Sequence, residues 1–197
     1  MGDATIRLNR FGVEQGRMWQ AVVAAAAIAL PLVFWIGIER ALGDSVLDID
    51  AGETLYLQSY PVTGASLEFK LPGDGWTSPG IHMADQRQNF RKGALTVAVE
   101  VDTHVENLEK LLARRADPII AERGYAYNNE RPYANAASGL SGFRADIVGP
   151  DTAGSITVVG EDGGAAAILI LLAPGDDPNS ATFDPDPFID AFELEGK

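Results

Sequence analysis

The run Gln86-Arg87-Gln88-Asn89-Phe90-Arg91-Lys92-Gly93-Ala94-Leu95-Thr96-Val97-Ala98-Val99-Glu100-Val101 decides the fold. Leu95, Val97, Val99 and Val101 recur with period two, so they share one face of a strand and face a core. Gln86 to Arg91 forms a second extended run before them, and a link as short as Lys92-Gly93 makes the two an antiparallel hairpin. Thr103, with Glu106 three residues on, is a capping-box pattern that predicts a helix where the strand stops. Val105, Leu108, Leu111, Leu112, Ile119 and Ile120 give that helix one apolar stripe. Pro118, after Asp117, kinks it or starts a second piece, and Gly124 ends it.

Working outward, Ser66-Leu67-Glu68-Phe69-Lys70-Leu71 alternates as a half-buried strand ended by Pro72-Gly73-Asp74-Gly75. Thr54-Leu55-Tyr56-Leu57 adds a possible edge strand. Downstream, strands are predicted over about 131–136, 142–148, 155–159 and 165–172, separated by Gly149-Pro150-Asp151 and Asp162-Gly163-Gly164. Asp184 or Asp186, each followed by proline, then caps a final helix that buries Phe188, Ile189 and Phe192. Strands, helix, strands and a short helix with short connections predict an α+β domain, an antiparallel sheet packed with helices.

The N-terminal region reads differently. Met18 to Ile38 is a 21-residue run without a charged side chain, preceded by Arg7, Arg10 and Arg17 and followed by Glu39, Arg40, Asp44, Asp48 and Asp50. Its length matches the roughly 20 apolar residues that cross a bilayer as helix, and the basic flank sets the cytoplasmic side. The expectation is a cytoplasmic tail over 1–17, one transmembrane helix over 18–40, a connector over 41–62 and an extracytoplasmic α+β domain over 63–197. The protein is then a single-pass protein of the cell membrane. Ala41-Leu42-Gly43 offers a signal-peptidase pattern, but the run exceeds the 7 to 15 residues of a cleavable apolar region, so a retained anchor is expected. Ala21, Ala25 and Ala29 form a small-residue stripe that lets a partner helix approach, and Pro31 interrupts the span.

Leu67-Glu68-Phe69-Lys70-Leu71-Pro72-Gly73-Asp74-Gly75-Trp76 resembles the opening strand and turn of PsbP-like domains, in which an amphipathic strand runs into a Leu-Pro, Gly-Trp corner. The likeness extends over about residues 60 to 195 and includes the exported PsbP-like proteins of actinobacterial envelopes. It implies a PsbP-like sandwich and an accessory, usually non-enzymatic, subunit or binding module. Photosynthetic members assist a membrane electron-transfer complex from its lumenal side. No binding motif of the family can be matched position by position, and an anchored chain departs from the soluble photosynthetic members.

Composition narrows the function further. Lys plus Arg number 15 and Asp plus Glu 28, for a net charge of −13. Asp3, Glu14 and Glu39 are the acidic residues before residue 41, so the acidity belongs to the segment from Ala41 onward. Such a surface repels nucleic acid. The absence of cysteine excludes disulfides, thiolate metal sites and a cysteine nucleophile.

No catalytic, cofactor or metal site is predicted. His82 and His104 are the two histidines, too few for a His-rich metal centre. Gly139-Leu140-Ser141-Gly142 lacks the spacing of a nucleophile elbow, and no glycine-rich nucleotide loop exists. The acidic stretch from Asp176 to Asp186 lacks the glycine and closing glutamate of an EF-hand, which leaves it to loop solvation and helix capping. Glu100 and Asp102 share a strand face that looks solvent-directed and, with Glu106, make no paired acid and base. Arg87, Arg91 and Lys92 beside the hairpin turn, with Lys110, Arg114 and Arg115 on the helix, are candidates for a basic partner-binding patch. Trp76 is expected in the core, and Tyr125, Tyr127 and Tyr133 rim an interface or groove. The functional expectation is a non-catalytic single-span accessory subunit docking on a larger envelope or respiratory membrane complex. The alternative is an envelope lipid- or glycan-binding module with an apolar groove between sheet and helix.

Overall fold

The computed structural model describes residues 22–23, 25–31, 34, 46–59, 64–79, 86–175 and 183–196. The chain divides into two compact units, Met1–Ser45 and Val46–Lys197.

In the first unit Val22, Val23, Ala25 to Pro31 and Phe34 are helical and exposed. No helix among the described residues is long and apolar enough to cross a membrane. This corrects the transmembrane helix expected over 18–40, together with the single-pass localisation, the cytoplasmic N-terminus and the bilayer partnership built on it. An uncharged run is a property of composition, whereas crossing requires about 20 residues of continuous apolar helix, which the described residues do not supply. Residues 1–17, Ala21 and the remainder of the expected span lie outside the described residues.

The second unit is an α+β sandwich. Its strands in chain order are β1 (Val46–Ile49), β2 (Thr54–Gln58), β3 (Ser66–Lys70), β4 (Trp76–Pro79), β5 (Arg87–Lys92) and β6 (Leu95–Val105). Helix α1 (Leu108–Arg123) follows, then β7 (Ala126–Ala134), β8 (Ser141–Val148), β9 (Thr152–Gly160), β10 (Gly164–Pro174), the short helix α2 (Asp186–Ile189) and β11 (Glu193–Glu195). An eight-stranded sheet runs β1-β4-β5-β6-β10-β9-β8-β7, and a three-stranded sheet runs β11-β3-β2. Every strand pair is antiparallel.

The large sheet is buried on both faces over its centre. On one face Val97, Val99 and Val101 of β6 and Leu169 and Leu171 of β10 meet Leu57, Leu67 and Phe69 of the small sheet and Phe188 and Ile189 of α2. Edge-to-face ring contacts fix this layer, with centroids 5.8 Å apart for Phe69 and Phe90 and for Trp76 and Phe188. On the other face Leu108, Leu111 and Leu112 of α1 pack on Ala145, Ile147, Ile156, Val158 and Ile168. Strand β10 serves both cores, which is why Ala165 to Leu172 reads as one apolar run rather than an alternation.

Local signals set the boundaries, with two differences from expectation. Strand β6 continues through Val105, so Thr103 caps nothing; Asn107 is the N-cap, its Oδ1 accepting from Lys110 N at 2.8 Å. Asp162 from the β9–β10 turn accepts from Leu108 N at 2.9 Å, tying the helix start to the sheet. Helix α1 runs through Pro118 as one element, and Gly124 closes it with φ +65°. At α2 the N-cap is Pro185, without a side-chain cap bond.

Candidate functional site

Helix α1 packs on β7, β8 and β9, and beyond it on that sheet face Arg87, Asn89 and Arg91 of β5 are exposed. A groove of about 470 Å³ lies along the boundary. Pro118 and Ile119 of α1, Pro79 of β4, Ala98 of β6 and Ile170 and Leu172 of β10 form its apolar walls, and Arg87, Asn89, Arg91 and Thr96 its polar ones. The period of two in β5 places Arg87, Asn89 and Arg91 on this face, while Phe90 is buried on the other. The volume falls in the range of small-molecule sites.

An ion-pair chain borders the groove. Glu100 is buried, its side chain 5 % exposed, and its Oε1 lies 2.8 Å from Arg87 Nη1. Arg115 Nε stands 3.4 Å from Glu100 Oε2, near enough for ion pairing, though off the line of a hydrogen bond. Arg115 and Arg114 each place an Nη2 3.1 Å from Asp102 Oδ2. The Glu100–Asp102 face, expected to point to solvent, is therefore covered by arginines from β5 and α1. The period-two reading was right about the face and wrong about its exposure, because the covering side chains come from elements distant in sequence.

The candidate basic residues separate accordingly. Arg87, Arg114 and Arg115 are committed to Glu100 and Asp102. Lys92 lies on the opposite face of β5, its Nζ 5.5 Å from the centroid of the Trp76 ring. Arg91 lines the groove and makes no ion pair among the described residues. Ala25 and Ala29 are helical and exposed in the first unit.

The remaining sequence candidates are dispersed. His104 sits at φ +56° near the end of β6, beside a cavity of about 450 Å³ that Glu106, Lys110 and Arg114 also line. Ser141 is exposed at the start of β8. No group of three or more His, Asp or Glu able to hold a metal occurs among the described residues. Asp176 to Ser180 lie outside them, as does His82. Trp76 is buried, as expected, with Nε1 donating to Pro72 O at 3.0 Å.

Comparisons with known proteins add no assignment. No family model matches the chain, and no curated protein matches it. A solved structure from Bacteroides thetaiotaomicron VPI-5482 is similar over 72 % of this chain and 48 % of that one, at 10 % identity and a TM-score of 0.35. The chain thus spans about half the length of that structure, and a likeness so slight carries no argument.

A second polar cluster lies where β7 meets α2. Tyr133 donates to Asp186 Oδ1 at 2.5 Å, and Asn135 Nδ2 donates to Asp190 Oδ1 at 2.7 Å. Burial, then the hydrogen bond to Asp186, pushes the Tyr133 hydroxyl well above the usual phenol range. Arg144 Nη2 and Ser155 Oγ both donate to Phe183 O, at 2.6 and 3.0 Å. These bonds hold α2, the residue after it and Phe183 before it against β7, β8 and β9. Sequence reading missed them because Tyr133 and Asp186 are 53 residues apart and carry no local pattern.

Proposed function

We propose that residues 46–197 are a non-catalytic binding domain, PsbP-like in kind, that takes a small molecule in the groove between α1 and the β4–β6 half of the large sheet. The observation that carries this reading is the groove itself, whose lining joins the apolar side chains of Ile119, Ile170 and Leu172 to the polar ones of Arg87, Asn89 and Arg91. Apolar walls with a few convergent polar groups are the usual make-up of a ligand site. The nearby carboxylates support binding over chemistry. Glu100 and Asp102 are engaged by guanidinium groups, which leaves neither placed to accept a substrate proton. The PsbP-like kinship rests on the sequence of the corner after β3, which folds as a tight turn with Gly73 and Gly75 both at φ +76° and Trp76 Nε1 donating to Pro72 O.

The expectation of docking on a membrane complex joined the transmembrane helix and its alanine stripe to the acidic domain and the absence of catalytic motifs; no helix among the described residues is long and apolar enough to cross a membrane, and the expectation is withdrawn. The test of the groove is amide chemical-shift mapping of the full chain against a small-fragment set of anions, cations and neutral molecules. Perturbations are expected at Ala98, Ile119 and Leu172 and are lost in Asn89→Trp, which fills the groove from an exposed position. Perturbations confined to other surfaces, or none, would refute the reading.

A further inference from the structure

Resting on the groove reading above, we infer that its ligand is a small organic anion, an apolar body carrying one carboxylate, sulfonate or phosphate group, whose charge is taken by Arg91. The charged side chains that line the groove are Arg87 and Arg91. They differ in commitment. Arg87 gives Nη1 to the buried Glu100 at 2.8 Å and its Nε approaches Asn89 Oδ1 at 3.4 Å. Arg91 has its backbone carbonyl engaged by the Thr77 hydroxyl at 3.2 Å, while its guanidinium has no carboxylate partner among the described residues. Asp48 lies on β1 across Thr77 in register and makes no ion pair with it.

Other arginines among the described residues are engaged: Arg87 by Glu100, and Arg144 by the Phe183 carbonyl at 2.6 Å. Arg114, Arg115 and Arg131 all sit within 3.1 Å of an aspartate oxygen. A guanidinium that lines an apolar groove and has no carboxylate partner among the described residues is a planar donor fork matched to an oxyanion. A cationic ligand would meet Arg87 and Arg91 with no free carboxylate, since Glu100 is 5 % exposed and already paired. A wholly neutral ligand would leave Arg91 unpaired and partly desolvated, which disfavours it. Ile119, Ile170 and Leu172, in the same lining, supply the contact for an apolar body.

The test uses two fluorescent probes with one aromatic body, 8-anilinonaphthalene-1-sulfonate and its neutral counterpart N-phenyl-1-naphthylamine, titrated into the full-length protein. The sulfonate is expected to bind at least about tenfold more tightly than the neutral probe, as one charge-assisted contact allows. Arg91→Gln should remove most of that difference, Arg91→Lys should restore part of it, and Asn89→Trp should abolish binding of both. Equal affinity of the two probes, each blocked by Asn89→Trp, overturns the anion inference while the groove stands. Binding that Asn89→Trp does not alter overturns both. Thermal unfolding of each variant confirms that it is folded, and Arg91, exposed and without an ion pair among the described residues, is expected to tolerate both substitutions.

Discussion

Replacing Glu100 by glutamine removes one charge from the centre of the arginine chain and changes almost nothing in shape. The wild-type carboxylate is 5 % exposed, and Arg87 reaches it at 2.8 Å. A hydrogen bond to a charged group contributes about 1.5 to 3 kcal/mol. Arg87 is 54 % exposed and Arg115 37 %, so both guanidinium groups recover water when the carboxylate is lost, which lowers the figure. Glutamine Oε1 can still accept from Arg87, but its NH₂ then faces Arg115, donor against donor. The expected cost is about 1 to 2 kcal/mol, well short of the roughly 3 to 5 kcal/mol for stranding a fully buried charge. Urea unfolding of the full-length protein measures it, and a double-mutant cycle with Arg115→Gln should return a coupling of about 0.5 to 1 kcal/mol. A Glu100→Gln variant within about 0.3 kcal/mol of wild type, or a cycle with no coupling, would refute the account of a paired, buried carboxylate.

Four further outcomes rest on local geometry. Asn107→Ala should cost about 1 kcal/mol through loss of the cap on Lys110 N, whereas Thr103→Ala should cost much less; comparing their unfolding midpoints decides which residue starts α1. Gly154→Ala should be severely destabilising, because its Cβ would meet the Leu171 carbonyl oxygen across the β9–β10 ladder; loss of cooperative thermal unfolding or a large fall in Tm is the readout. Tyr133→Phe should cost about 1 kcal/mol and speed amide exchange in α2, the element that its bond to Asp186 holds. For Asp146, burial pushes the carboxyl up, but hydrogen bonds from Arg131 and Asn129 outweigh it and hold the group below its ordinary 3.8. Its stabilisation is therefore complete above that ordinary value and lost as pH falls through the lower folded one. Asp146→Asn should flatten that acid limb in pH-dependent unfolding curves.

Legibility divided along physical lines. Periodicity, as alternation or an apolar run within one short window, marked β3, β6, β8, β9 and β10; β5 was legible only through the short Lys92-Gly93 link to β6, and β7, whose Ala126–Ala134 run is largely polar, only over its second half. Periodicity did not find β1, β4 or β11: Val46–Ile49, Trp76–Pro79 and Glu193–Glu195 are three or four residues long and carry no period. Nor did it find that the strands divide between two sheets, since β11 joins β3 across more than 120 residues of chain and nothing local encodes that pairing. The helix cap was misplaced by four residues because Thr103-x-x-Glu106 satisfies a capping pattern that the pairing of β6 with β10 overrides. The uncharged run from Met18 to Ile38 shows the limit of composition alone, which reports apolarity and says nothing of a continuous helix.

The site shows the same division more sharply. Arg87, Arg91, Lys92, Arg114 and Arg115 stand out in an acidic sequence, yet their value lies in what each one touches. Arg91 and Lys92 are neighbours in sequence and lie on opposite faces of β5, one in the groove and one over Trp76. Arg87 and Arg91 share a face and differ because Glu100 stands opposite Arg87 in the β5–β6 register while Thr96 stands opposite Arg91. A carboxylate at one position and a hydroxyl at the other is enough to bind one guanidinium to the fold and leave the other for a ligand. Glu100→Gln should therefore act in two directions, lowering stability while weakening the hold on Arg87 from an ion pair to a hydrogen bond with a neutral acceptor, so that Arg87 turns more readily toward a ligand at Arg91. Tighter binding of the sulfonate probe by a few-fold, alongside the loss of stability, is the combined result that this register predicts.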